Sequence, residues 1–281
     1  MKIRITSDST CDLGHLVEER NIGIHPLQVN LDTNCYRDGV DITPQEIFDF
    51  VAKTKTLPKT SAPSIGDYQE FFEEQLKEAD ALIHFNISSK SSGSHNMAKQ
   101  AAEEFGGKVR VIDSMALSSG QGLLVLAAAD MRDEGRSVDE IVEGVEELRT
   151  HINTSFVPDT LDYLHKGGRV SGMVKTVAAV FKIHPLIYME EGQLVSGKKY
   201  HGKMTVLLKQ YVADLKEKYP SYDKKRCFIT HSSADKEIVD AVREKVEEIF
   251  DFDEIIETVA GSIITSHCGK NTIGVLFVYN K

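Results

Sequence analysis

The sequence predicts an α/β protein of two domains, a Rossmann-like domain with a parallel sheet followed by an α+β domain. In the first half, short apolar runs alternate with amphipathic runs, which is typical of parallel strands joined by helices. In the second half, apolar runs flank the turn 190–193, which predicts a hairpin in a mixed or antiparallel sheet. Since 281 residues suit two ordinary domains, we expect them to span residues 1–155 and 156–281.

The elements of the first half follow from apolar periodicity and from capping residues. Strands are predicted at 2–6, 80–87 and 108–112 with an extended stretch at 22–31, and helices at 12–20, 64–79, 96–105, 117–134 and 137–149. A further helix begins at Thr43, where Pro44 fits the first turn and Glu46 completes a capping box. Ser137 and Glu140 form another capping box.

The second half combines five predicted strands with two longer helices. The strands are predicted at 183–190, 193–200, 224–231, 254–259 and 272–279, and the helices at about 203–218 and 235–249. Two runs, 122–129 and much of 173–188, are apolar on every side, which indicates burial. Core packing accounts for both runs, but alanines beside larger side chains could also leave a slot for an alkyl chain.

Charge and cysteine usage exclude several classes of protein. Against 43 Asp and Glu there are 33 Lys and Arg, and the net charge of −10 disfavours nucleic-acid binding and more than transient contact with anionic membranes. The four cysteines are far apart, so we expect reduced thiols and no metal site. The sequence shows no signal peptide and no apolar run long enough to span a bilayer, so we expect a cytoplasmic protein.

Three hydroxyl-rich turns, at 6–10, 59–64 and 88–94, lie where predicted strands end or predicted helices begin. In a parallel sheet, the loops at the carboxyl ends of the strands meet in one crevice. Helix N-termini favour anions there, and hydroxyl groups add donors. Each turn alone is also explained by ordinary helix capping. Together they predict an anion site.

Two nucleotide-binding motifs are missing from the sequence, and their absence narrows the range of possible ligands for this site. The run 197–204 has the glycine and lysine spacing of a phosphate-binding loop, but Met204 stands where a hydroxyl would hold magnesium. A dinucleotide fingerprint is also missing, which leaves a carboxylate or a single phosphate. His267, near the end of 261–269, could donate to the anion or shuttle a proton, or could be structural. Arg169 follows Gly167 and Gly168 and could anchor an anion or a partner, or neutralise a helix end.

Several motifs, in order along nearly the whole chain, resemble those of the DegV family. They are residues 5–13 (ITSDSTCDL), 36–39 (YRDG), 41–43 (DIT), 60–64 (TSAPS), 87–94 (ISSKSSGS), 111–114 (VIDS), 159–169 (DTLDYLHKGGR), and His267 with Gly269. Members of this family include the fatty-acid-binding subunits of bacterial fatty acid kinase. The resemblance implies a two-domain fold that buries a long-chain fatty acid, with the second domain closing over it.

The resemblance also implies which residues hold the ligand and which face a partner. The implied residues at the carboxylate are Thr60, Ser61, Ser92, Gly93, Ser94 and His267. The implied role is that of a carrier with no cofactor and no ATP site, whose bound carboxylate is phosphorylated by a separate ATP-dependent kinase. The family's Lys-x-Arg falls on 199–201, so His201 replaces the arginine. We expect His201 and Arg169 to face the partner, with Arg169 outside the buried pocket.

The residues leave one alternative open. An enzyme acting on a small phosphorylated or hydroxylated metabolite could use the serine turn for phosphate and His267 as acid and base.

Overall fold

The first half of the chain contains a parallel sheet, as its alternating pattern predicted. The computed structural model describes residues 1–169 and 183–280, so most of the apolar run predicted at 173–188 lies outside the described residues. The strands of this half are β1 (Ile3–Asp8), β2 (Gly23–His25), β3 (Gln28–Leu31), β4 (Asn34–Arg37), β5 (Lys59–Ser61), β6 (Ala81–Asn86) and β7 (Val109–Asp113). The order β2-β1-β6-β7 forms a sheet in which every pair is parallel.

The helices of this half are α1 (Leu16–Glu19), α2 (Pro44–Thr54), α3 (Ile65–Leu76), α4 (Ser94–Ala102), α5 (Ser119–Asp133) and α6 (Val138–Leu148). The capping boxes predicted at Thr43 and Ser137 are confirmed, and Ser64 forms a third with Asp67. The helix predicted over 12–20 is wrong in its first part. A 3-10 turn occupies Ser9–Cys11 and Asp12 has φ of 48°, so the chain leaves the helical region before α1 begins.

A small antiparallel sheet of β4, β3 and β5 was not predicted as such. Its strand β5 has only three residues, too few to show an alternating pattern. The pairing places Thr60 opposite Val29 and Ser61 opposite Gln28. This sheet therefore positions the second hydroxyl-rich turn.

The second half forms a mixed sheet with seven described strands, which confirms the predicted α+β character. The strands are β8 (Ile152–Asn153), β9 (Ser155–Val157), β10 (Ile183–Glu190), β11 (Gln193–His201), β12 (Tyr222–Ser232), β13 (Ile255–Val259) and β14 (Thr272–Tyr279). The helices are α7 (Asp162–Gly167), α8 (Met204–Lys218), α9 (Lys236–Ile249) and α10 (Ser262–Cys268). The order is β11-β10-β9-β14-β12-β13, with β8 beside β14. Among these described strands, only β12 and β13 pair in parallel.

Helix α5 joins the cores of the two sheets. Its residues 119–126 are all buried, and its aliphatic side chains belong to one cluster with Phe85 of the parallel sheet and Phe228 and Leu276 of the mixed sheet. Core packing thus explains why the run 122–129 is apolar on every side. Within the described ranges, no helix has both the length and the apolar character needed to cross a bilayer. The domain boundary at residue 155, which falls within β9, stays a prediction.

Candidate ligand-binding cavity

A cavity of about 360 Å³ lies between elements of both halves, and this volume is within the usual range of small-molecule sites. Its polar or small lining residues are Thr60, Ser61, Ala62, Ser89, Lys90, Ser91, Ser92, Gly93, Arg169 and His267. Its apolar lining residues are Leu27, Ile87, Leu117, Leu164, Leu194, Ile263, Ile264 and Cys268. The cavity therefore has two chemically different parts.

The polar part is open and the apolar part is closed. Ser61, Lys90 and Arg169 are exposed, whereas Leu164 and Ile263 have only 1% and 4% of their surface accessible. Solvent therefore reaches the hydroxyl-rich end, which we call the mouth. The buried aliphatic side chains form an apolar interior behind it.

Thr60 and His267 form a hydrogen-bonded pair at the mouth, although 207 residues separate them in sequence. The Thr60 hydroxyl and Nε2 of His267 are 2.8 Å apart. Burial, with the nearby Arg169 cation, lowers the pKa of His267 to about 4, so the ring is neutral at pH 7. A Cβ placed on Gly167 would lie 2.7 Å from Nδ1, so this other nitrogen faces the end of α7. The Nε2 side of the ring therefore faces the mouth, where it contacts Thr60.

The helix that carries His267 is held in place by two buried carboxyl groups, whose contacts with this helix the sequence did not predict. Asp12 accepts from the backbone N–H of Gly261 at 2.9 Å, and Asp38 accepts from that of Ser262 at 2.7 Å. Burial raises the pKa of Asp38 and raises that of Asp12 to about 8. Both acids belong to the motifs at 5–13 and 36–39, but only the fold shows that they meet α10.

The serine turn supplies the opposite wall of the mouth. The hydroxyls of Ser92 and Ser94 are 2.8 Å apart, and the backbone N–H of Ser94 donates to Ser92 Oγ at 3.2 Å. Ser94 is buried behind Ser92 and is not among the described lining residues, whereas Gly93 lies on the wall. Ser88 donates to the carbonyl oxygen of Gly192 at 2.6 Å, which ties this turn to the β10–β11 hairpin.

The first hydroxyl-rich turn does not join the other two in the described part of the cavity. Its Asp8 is fully buried and accepts from the Thr10 hydroxyl, the Gln121 amide and the backbone N–H of Ile87. The polar groups of this turn are therefore hydrogen-bonded to other groups inside the protein. Two of the three predicted loops meet at the mouth.

Three cationic or titratable side chains differ in their position relative to the cavity. Arg169 is exposed yet lines the cavity, where we had expected it outside the pocket; its Nη1 donates to the Gly167 carbonyl oxygen at 2.7 Å. Lys90 also lines the mouth, a position that the hydroxyl pattern of the serine turn did not predict. His201 is the exposed last residue of β11 and is not among the described residues that line the cavity. Among the residues described, no group of three or more His, Cys, Asp or Glu side chains is placed to hold a metal ion.

The fold and the cavity define an α/β protein with an aliphatic cavity interior behind a hydroxyl-lined mouth. The chain belongs to the DegV family: the family model described as "Uncharacterised protein, DegV family" matches residues 2–280. A DegV domain-containing protein of Deinococcus radiodurans is 31% identical over 281 residues, 98% of each chain.

Two solved structures extend this similarity. A DegV family protein from Thermus thermophilus, described for its fatty acid binding, is 31% identical, with a TM-score of 0.92 over 100% of both chains. A DegV lipid binding protein from Thermotoga maritima is 27% identical, with a TM-score of 0.87 over 100% of both chains.

Proposed function

We propose that this protein binds a long-chain fatty acid, with the alkyl chain in the apolar interior and the carboxylate at the mouth. The observation that carries the proposal is a cavity in which aliphatic walls lead to the Thr60–His267 pair. Burying each methylene contributes roughly 0.8 kcal/mol, so an aliphatic cavity favours a long chain over a small polar metabolite. The fatty acid binding of the Thermus protein supports the same ligand class.

Neutral donors would hold the carboxylate. If the Nε2–H of His267 donates to Thr60, the Thr60 hydroxyl is free to donate to the ligand. Ser61, Ser92 and the Gly93 backbone would add further donors, while Ser94 would orient Ser92 through their 2.8 Å contact. Such charge-assisted hydrogen bonds offset the loss of hydration around the carboxylate.

The carboxylate would remain reachable from outside, which suits a carrier better than an enzyme. We infer that a separate ATP-dependent kinase transfers a phosphoryl group from ATP to the carboxylate, giving an acyl phosphate and ADP. Exposed Arg169 at the mouth and exposed His201 at the end of β11 are the side chains we assign to that partner. Residues 156–281 would close over the ligand as a second domain, and the protein would need no cofactor.

Extraction of the purified protein with organic solvent followed by mass spectrometry tests the ligand class. The expected result is about one long-chain fatty acid per chain. Protein that carries no lipid, takes up none when offered oleate, and instead binds phosphate esters would contradict the proposal. It would favour the alternative in which His267 acts as acid and base.

A further inference from the structure

A second, smaller cavity of about 30 Å³ lies next to the first, and we call it the inner chamber. Of the residues that the structure describes, three line both spaces: Leu117, Ile264 and Cys268. We call these three the partition. No described lining residue of the inner chamber is exposed, so the chamber is deeper in the protein than the mouth.

The geometry of α10 explains how the partition separates the two spaces. Residues four apart lie one above the other on a helix, so Ile263 shares a row with His267 and Ile264 shares a row with Cys268. The first row lines only the main cavity, and the second row lines both. An alkyl chain that enters past His267 would therefore reach the second row before the inner chamber.

The polar groups of the inner chamber need no ligand. The Thr230 hydroxyl is 2.5 Å from that of Ser119 and 2.8 Å from that of Thr258, and Ser232 donates to Thr265 at 3.0 Å. A methyl or methylene group could enter without stripping a hydrogen bond from them. The chamber's volume exceeds the roughly 10–15 Å³ that a cavity needs to hold one water molecule, so it has room for about one or two such groups.

We propose that Leu117, Ile264 and Cys268 set the longest acyl chain that this protein accepts by closing the cavity off from the inner chamber. The inference rests on the proposed fatty-acid binding and adds its chain-length limit. Each further methylene that finds room should raise affinity about fourfold, which corresponds to ~0.8 kcal/mol. A methylene that meets the partition should gain nothing or weaken binding.

The test measures affinity for saturated fatty acids from dodecanoate to eicosanoate by displacement of a fluorescent fatty acid. Wild-type affinity should rise with chain length to a limit and then stop rising. Ile264→Ala removes three carbon atoms from the partition, and its limit should move up by about two to four carbons. Leu276→Ala is the matched control, because it also removes three carbon atoms but Leu276 lines only the inner chamber. Its limit should stay at the wild-type length.

Each remaining outcome decides a different point. If the wild-type protein binds no fatty acid of any length, the proposed function itself is contradicted. Wild-type binding without a limit, or an unchanged limit in Ile264→Ala, would overturn the partition alone. A shift in Leu276→Ala as large as that in Ile264→Ala would show that the partition is not closed. If thermal melting shows that Ile264→Ala does not fold, Cys268→Ala is the smaller change, and its limit should rise by about one or two carbons.

Discussion

Thr60→Val tests the hydroxyl that stands between His267 and the ligand. Valine keeps the shape of threonine and its branched Cβ, so β5 and its pairing with β3 should persist. The variant removes one donor to a charged carboxylate, and such hydrogen bonds contribute about 1.5–3 kcal/mol. The dissociation constant for a fatty acid should therefore rise by about tenfold to about 150-fold. Displacement of a fluorescent fatty acid at pH 7 measures this change.

Thr60→Ser is the matched control, because serine keeps the hydroxyl and loses only a methyl group. Its affinity should stay within about threefold of wild type. If Thr60→Val binds as tightly as Thr60→Ser, the Thr60 hydroxyl does not touch the carboxylate. The pairing of Thr60 with His267 would then be structural.

The same pair predicts how affinity depends on pH. The pKa of His267 is lowered to about 4, so the ring carries no charge that could be lost as the pH rises above 6. A free carboxylate with an ordinary pKa near 4.3 is already ionised at that pH. Affinity should therefore be flat between pH about 6 and 8. A steady loss of affinity over this window would mean that a protonated His267 is the carboxylate's counter-ion.

Three further predictions concern the mouth and the core. Ser92→Ala should weaken fatty-acid binding by about 1.5–3 kcal/mol and leave the melting temperature nearly unchanged, and unchanged affinity would remove Ser92 from the site. Arg169→Ala should leave fatty-acid affinity within about threefold of wild type but lower the rate of phosphorylation by the partner kinase. His267→Ala should lower both the affinity and the rate. If Arg169 proves essential for affinity, the carboxylate is not held by neutral donors alone. Burial lowers the pKa of His25 to about 4, so only the unfolded chain takes up its proton as the pH falls from about 6.5 to 4. The contribution of His25 to stability, fully present above pH 6.5, should therefore fall by about 1.4 kcal/mol per pH unit, and urea unfolding should show that His25→Phe lowers the pH slope of the unfolding free energy by that amount.

Local patterns in the sequence were enough to predict most helices and strands. The capping boxes at Thr43 and Ser137 place two helix beginnings to the residue, because the cap depends only on side chains three positions apart. The hairpin around Glu191 was placed equally well, since its two strands are adjacent in sequence. Such features need no knowledge of the rest of the fold.

Contacts between distant segments could not be predicted in the same way. Asp12 and Asp38 accept hydrogen bonds from the backbone N–H groups of Gly261 and Ser262, which lie more than 200 residues later in the sequence. No local pattern links these residues. The sequence also gives no reason why Asp8 should be satisfied internally while the serine turn stays open to the cavity. Thr60 and His267 were grouped only through the family resemblance, and their 2.8 Å contact emerges from the fold.

The two helices at the mouth explain why an anion would be held there. At the beginning of α10, Asp12 and Asp38 accept hydrogen bonds from the N–H groups of Gly261 and Ser262, so these two groups are not available to a ligand. His267 lies at the other end of α10, where the helix dipole disfavours a negative charge. The beginning of α4 favours a negative charge, because it is the positive end of the helix dipole. Ser92 and the N-cap Gly93 lie there, on the cavity wall. A carboxylate between them would receive a donor from the α10 side and a favourable potential from the α4 side, which fits a ligand that is bound firmly yet without a permanent ion pair.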